Sequence, residues 1–252
     1  MKLLNTKLLL PTLLAGSMFA AVQANASSIT IDDFSTYQQV GDMPLGPVLT
    51  SSQGGLFTNV IGGYRDMEVF DTTGAIFPLA VNAVAGTTVP GELNYSNSAS
   101  ANSALRLTWD GDDDATVLDT DGLNSGAGVS FAGLDGIAFQ VRNLDLTPMD
   151  VYITLYGLDG VSSSTSHINL TTSALKADSS TYYDVFFGFN GFTNTGSFDL
   201  ASIGAIEMVI DGLTDSDFII GQISAVPEPS AAALLGLGLA GLALGRRRAA
   251  RK

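Results

Sequence analysis

An all-β fold, an antiparallel jelly-roll-like β-sandwich, is what this sequence predicts over most of its length. Three observations predict it. Apolar and polar residues alternate in short runs, as they do where successive side chains of a strand point to opposite faces. Clusters of Gly, Asn, Asp and Ser, the residues that supply turn geometry, separate those runs. Between the two ends, almost no run repeats at the spacing an amphipathic helix needs.

The first element is a secretory signal helix at residues 1–26. Lys2 and Lys7 give it a positive start and residues 8–21 an apolar run. Ala24 and Ala26 form the small-x-small site a signal peptidase cuts, which makes Ser27 the mature N-terminus. An uncleaved anchor would want a longer apolar run, of about 20 residues.

Residues 27–225 read as one β-sandwich ectodomain. Its first strand candidate sets Ile29, Ile31 and Asp33 on one face and Thr30, Asp32 and Phe34 on the other. Further strands fall at residues 64–70, 75–81, 92–96, 104–110, 136–142, 151–156, 167–171, 182–187, 205–210 and 218–224. Within residues 104–110, Leu105, Leu107 and Trp109 share a face, which reads Trp109 as core. Ile137, Phe139 and Val141 alternate in the same way, as do Val151, Ile153 and Leu155. No repeat of fixed period supports a β-helix.

Composition narrows the function. The chain has no cysteine, which excludes thiol catalysis and thiolate metal sites. Its 252 residues carry a net charge of −14, unevenly placed. Residues 27–225 keep only Arg65, Arg106, Arg142 and Lys176 against 24 acids, a formal charge of −20. Such a body repels phosphate backbones and anionic lipid headgroups, which argues against nucleic acid as a partner. Divalent cations and neutral glycans suit it better, and solubility alone explains most of the acids.

The last element, residues 226–252, has three parts. Val226, Pro227, Glu228 and Pro229 form a motif that its prolines keep extended. An apolar run follows at residues 231–245, predicted as a hydrophobic helix. Arg246, Arg247 and Arg248 then hold the end on the cytoplasmic side of a membrane. At about 1.5 Å per residue the run falls short of a hydrocarbon core of roughly 30 Å, which favours a transient inner-membrane anchor over a permanent one. This order of parts resembles the PEP-CTERM sorting signal. The resemblance implies Sec export, processing by an exosortase, and a secreted or cell-surface location in a Gram-negative-type bacterium. The body also resembles the carbohydrate-binding-module-like ectodomains that such proteins carry. The residues that carry this second resemblance are the Ile31–Phe34 start, the run at residues 203–207 and the Asp217–Ile220 strand. It implies association with exopolysaccharide.

Several groups are candidate sites. Asp110, Asp112 and Asp114 have the alternating spacing of calcium loops, with Asp121 at the twelfth position. Ala115 stands where an EF-hand requires Gly, so a solvated acidic turn is the competing reading and Ca²⁺ the only cofactor considered. From the jelly-roll resemblance, Asp33 and Asp217 are an alternative pair for a structural calcium, with Asp32 and Asp211 as assisting carboxylates. Tyr64, Tyr95 and Tyr182 are candidate stacking residues for sugars. Arg65 with Asp66 and Glu68 reads as a surface salt bridge. His167, the only histidine, has no partnered nucleophile motif, so no catalytic residue is assigned. The leading expectation is a non-catalytic surface or matrix protein associated with exopolysaccharide. A structural or adhesive protein-contacting component is the first alternative, and an envelope polysaccharide hydrolase the second.

Overall fold

The computed structural model describes residues 27–41, 49–52, 58–71, 81–85, 91–97, 103–143, 148–171, 182–212 and 216–227. The predicted signal helix, the apolar run and the arginine cluster lie outside them. Among the described residues no helix is long and apolar enough to cross a membrane.

Among the described residues fourteen strands follow in chain order: β1 (Ile29–Asp32), β2 (Gln38–Gly41), β3 (Leu49–Ser52), β4 (Asp66–Asp71), β5 (Val81–Ala85), β6 (Leu93–Asn97) and β7 (Ser103–Trp109), then β8 (Gly136–Asn143), β9 (Met149–Gly157), β10 (Ser163–Leu170), β11 (Tyr183–Gly188), β12 (Thr193–Thr195), β13 (Ile203–Gly212) and β14 (Asp217–Val226). They form two seven-stranded sheets. One runs β11-β8-β14-β6-β5-β2, with β1 added against β14; the other runs β12-β10-β9-β13-β7-β4-β3. Every pairing is antiparallel. Most predicted strands are present with shifted ends. The candidate at residues 75–81 is the exception: all but Val81 lies outside the described residues, and Val81 opens β5. β10 starts four residues earlier than expected, because its Ser/Thr run pairs with both β9 and β12.

The alternating residues build the core between the sheets. Val151, Ile153 and Leu155 of β9 point inward, as do Leu105, Leu107 and Trp109 of β7 and Ile137, Phe139 and Val141 of β8. Burying such a side chain contributes about 1.5–3 kcal/mol. The rings of Phe139 and Phe187 stack within this core, 6.1 Å apart.

Arg65 corrects the sequence reading. It is no surface residue but fully buried, and it ties β1 to the opposite sheet. Its Nη1 donates to both Asp32 oxygens at 2.9 Å and its Nε donates to Gln38 Oε1 at 2.8 Å. Trp109 Nε1 and the Phe34 N–H also donate to Asp32. Burial still raises the Asp32 carboxyl, although Arg65, Trp109 and the Phe34 N–H oppose it. Removing one partner of such a buried pair costs about 3–5 kcal/mol, because it strands the other charge.

Candidate functional site

The outer face of the β12-β10-β9-β13-β7-β4-β3 sheet carries polar side chains that grade from buried at Asp66 and Thr108 to exposed at His167, Asn169 and Thr193. Register lines them up in rows across the strands. One row runs Asp66, Thr108, Glu207, Thr154, Thr165 and Thr193. The next runs Glu68, Arg106, Val209, Tyr152 and His167, and a third ends in Asp211, Asp150 and Asn169. This face follows from β9: once Val151, Ile153 and Leu155 point inward, Tyr152, Thr154 and Tyr156 must point out.

At one end of the face lies a cleft of about 370 Å³, walled by Asp66, Glu68, Arg106, Thr108, Glu207 and the segment from Ala115 to Leu118. Arg106 joins its two glutamates. Nη1 donates to Glu68, Nε lies 3.2 Å from Glu207 Oε2, and the guanidinium sits 4.9 Å from the centre of the Phe70 ring. Burial pushes the Glu207 carboxyl up. Arg106 opposes that rise, the Glu68 charge adds to it, and a hydrogen bond from Tyr156 opposes it again. Tyr156 in turn is raised to about 12, by burial first and then by the Glu207 charge.

Further along the face, Tyr152 and His167 stack in the open. Their ring centres are 4.3 Å apart and their planes 15° from parallel, with Tyr152 38% exposed and the His167 side chain 43% exposed. His167 Nε2 and Asn169 Nδ2 both bond Asp150 Oδ1, at 2.5 and 2.8 Å. Burial raises the Asp150 carboxyl, but these hydrogen bonds and the His167 charge outweigh it and hold the group below the usual range. Directly across from Asp150 on β13, Asp211 is raised, by burial and then by the Asp150 charge.

The sequence candidates fall elsewhere. Tyr95 is a core residue, 2% exposed, stacked on Phe218 at 4.4 Å with its hydroxyl bonded to Ser103; it cannot meet a glycan. It alternates with Leu93 and Asn97 on the buried face of β6. Tyr182 stands beside the other sheet, its hydroxyl donating to Glu92 and the Arg142 guanidinium 5.2 Å from its ring centre. Tyr64 is half-buried just before β4. The three tyrosines therefore form no common surface, while Tyr152, Arg106 and Glu207 were readable from alternation but not singled out.

Of the acidic candidates, Asp110, Asp114 and Asp33 accept N–H groups of the turns they lie in. Asp110 is buried, its Oδ1 accepting from the Asp112 N–H at 3.2 Å and its Oδ2 from the Asp119 N–H at 3.0 Å. Asp114 Oδ1 accepts from both the N–H and the hydroxyl of Thr116. Asp121 lies against Asp119, whose hydrogen bond and charge raise its carboxyl. Asp33 accepts the Ser35 N–H, and β1 pairs with the far end of β14, Asp32 opposite Ile223. Asp217 lies six residues before Ile223, and at about 3.3 Å per residue that separates it from Asp33 by well over 10 Å. Among the described residues no three His, Asp or Glu side chains converge to hold a metal ion.

β14 ends at Val226, whose carbonyl accepts the Asp135 N–H at 2.9 Å, and Pro227 is the last residue described. The model of the PEP-CTERM protein-sorting motif matches residues 225–248. The tail is a PEP-CTERM sorting motif. It marks an exported protein sorted to the cell surface of a Gram-negative bacterium, and it begins on the last residues of a paired strand. No curated protein matches this chain. Among solved structures, the chain is similar in shape to the family 11 carbohydrate-binding module of Clostridium thermocellum in complex with a mixed-linked tetrasaccharide. That match has 12% identity and a TM-score of 0.38, over 79% of this chain and 95% of the module. The family 11 module of a cellulosomal cellulase of the same organism matches at 11% identity and a TM-score of 0.38, over 80% of this chain and 95% of that one. An exo-β-agarase matches at 10% identity and a TM-score of 0.38, over 80% of this chain but only 25% of the enzyme. At these identities and scores none of them assigns a ligand or an activity to this chain.

Proposed function

We propose that this chain is a non-catalytic surface protein that binds extracellular polysaccharide on the outer face of the sheet containing β9, β10 and β13. The observation that carries the proposal is the exposed Tyr152–His167 stack, set in rows of hydroxyl, amide and carboxylate side chains. Sugars are recognised by this combination: an aromatic ring covers the C–H face of a pyranose, and flanking polar groups bond its hydroxyls. Strands hold these groups more rigidly than loops would. The sorting tail is consistent with this reading, because it delivers the body to the surface, where such polymers lie. Exosortase is then the processing partner and the tail a transient inner-membrane anchor.

The hydrolase reading has one observation in its favour, the raised Glu207 carboxyl near Glu68. Glycoside hydrolysis requires two carboxyl groups free to flank a sugar bond. Here Arg106 ties both to itself, so the cleft serves binding better than bond cleavage.

Retention of the whole chain, purified in mild detergent, on the producing organism's immobilised exopolysaccharide tests the proposal. Wild type is retained, and Tyr152→Ala weakens retention at least tenfold while its melting temperature stays within a few degrees. Equal retention of the two proteins removes this face from the account.

A further inference from the structure

The charges on the proposed binding face are arranged in a way that solubility does not explain. Acids that only keep a protein in solution sit well on loops, where water screens them. On this face they occupy neighbouring strands in the middle of a sheet. Asp150 and Asp211 are directly opposed across β9 and β13, a cross-strand like-charge pairing that destabilises a sheet. Glu68 and Glu207 flank a single guanidinium in the cleft. Burial is the main cause of the raised carboxyls of Glu207 and Asp211, and a nearby carboxylate adds to each. The cationic side chain of the face, Arg106, contacts both glutamates, and the His167 ring is hydrogen-bonded to Asp150. An anionic sugar, such as a uronate or a sulfated unit, would meet more carboxylates than cations among the described residues of this face: Glu68, Glu207, Asp150 and Asp211 against Arg106. A neutral sugar would gain hydrogen bonds only. A protonated amine would gain charge-assisted bonds and relieve the repulsion between the paired acids.

Resting on the polysaccharide-binding reading of this face, we propose that its ligand is an amino-sugar polymer with free, protonated amino groups. The Tyr152–His167 stack carries a sugar ring, and the carboxylates of Asp211 and Glu207 on either side of it receive the ammonium groups of the chain. The acidic face is thereby a selectivity element that favours cationic over acetylated or anionic glycans.

The experiment is a binding titration of the whole chain in mild detergent against three probes of equal length: a glucosamine hexamer, its fully N-acetylated form, and a hexamer of a uronic acid. The glucosamine hexamer binds at least tenfold tighter than the acetylated one, the uronate does not bind, and added salt weakens the first interaction most. Asp211→Asn and Glu207→Gln each reduce glucosamine binding severalfold and leave the acetylated probe unchanged. Tyr152→Ala weakens both. Equal affinity for the amine and acetylated hexamers overturns the amine preference but leaves glycan binding standing. Binding to none of the three overturns the amino-sugar proposal, and polysaccharide binding itself falls only if the organism's own exopolysaccharide is not retained either. To separate site from bulk charge, Asp112→Asn with Asp113→Asn removes two acids from the loop instead of the sheet. An equal loss of binding in that variant assigns the attraction to the acidic body as a whole and overturns the proposal.

Discussion

Asp211 illustrates how position on a strand, and not residue type, decides what a carboxylate does. The acids of the 110–121 loop close turns, whereas Asp211 faces Asp150 across two strands of an ordered sheet. Its carboxyl is raised by burial and by that neighbour, so the folded protein holds a proton there more readily than the unfolded chain does. The linked stability is therefore fully present below the ordinary carboxylate value of about 4 and is lost as pH rises through the raised value. Asp211→Asn, which cannot ionise, makes the melting temperature fall less than wild type between pH 4 and pH 7. Parallel pH profiles for the two proteins would contradict this. The residue types at this face were all readable from sequence. Tyr152 and Tyr156 follow from the inward alternation of Val151, Ile153 and Leu155. The pairing of Asp150 with Asp211 was not readable, because it depends on β9 and β13 being neighbours although some fifty residues separate them.

At the scale of elements, the loop after β7 is built around close backbone contact. Gly111 has φ +83, and a Cβ there would stand 2.6 Å from the Gly122 carbonyl oxygen. Asp110 fastens the same loop by accepting two backbone N–H groups. Gly111→Ala must therefore adopt a left-handed conformation and also displace the backbone opposite, at a cost of about 1–3 kcal/mol. Thermal unfolding should show a clear drop in melting temperature for this variant, and an unchanged curve would mean the loop adapts freely. This explains why the calcium reading of the aspartates was attractive in sequence. Metal loops and self-closed Asx turns share the spacing of Asp110, Asp112 and Asp114. Only the direction of each carboxylate separates them. Strand existence was legible for the same reason that loop chemistry was not: alternation is a local pattern, while a hydrogen-bond partner nine residues away is not.

At the scale of the whole molecule, the body and its sorting tail are joined without a spacer. Ile29 of β1 pairs with Ala225 of β14, which puts the first described strand and the start of the PEP-CTERM motif side by side. Replacing Pro227, Glu228 and Pro229 together with alanine leaves the protein unprocessed in the inner membrane. Fractionation that finds this variant at the surface in normal amount would refute the sorting role. The tail was legible because its function lies in a short linear pattern. The insertion of β14 between β8 and β6, with β1 against its far half, was not, since strand order in a sandwich is fixed by which apolar faces pack together over long sequence separations.

The central claim, that one sheet face of this exported body binds polysaccharide, is tested most directly by a hydrogen-exchange footprint. Exchange of the whole chain would be measured with and without the organism's own exopolysaccharide. The account predicts slower exchange in β9, β10 and β13 and in the segment from Ala115 to Leu118, with the opposite sheet unchanged. Protection confined to the Tyr182, Arg142 and Glu92 side of the molecule would contradict it, as would no protection at all.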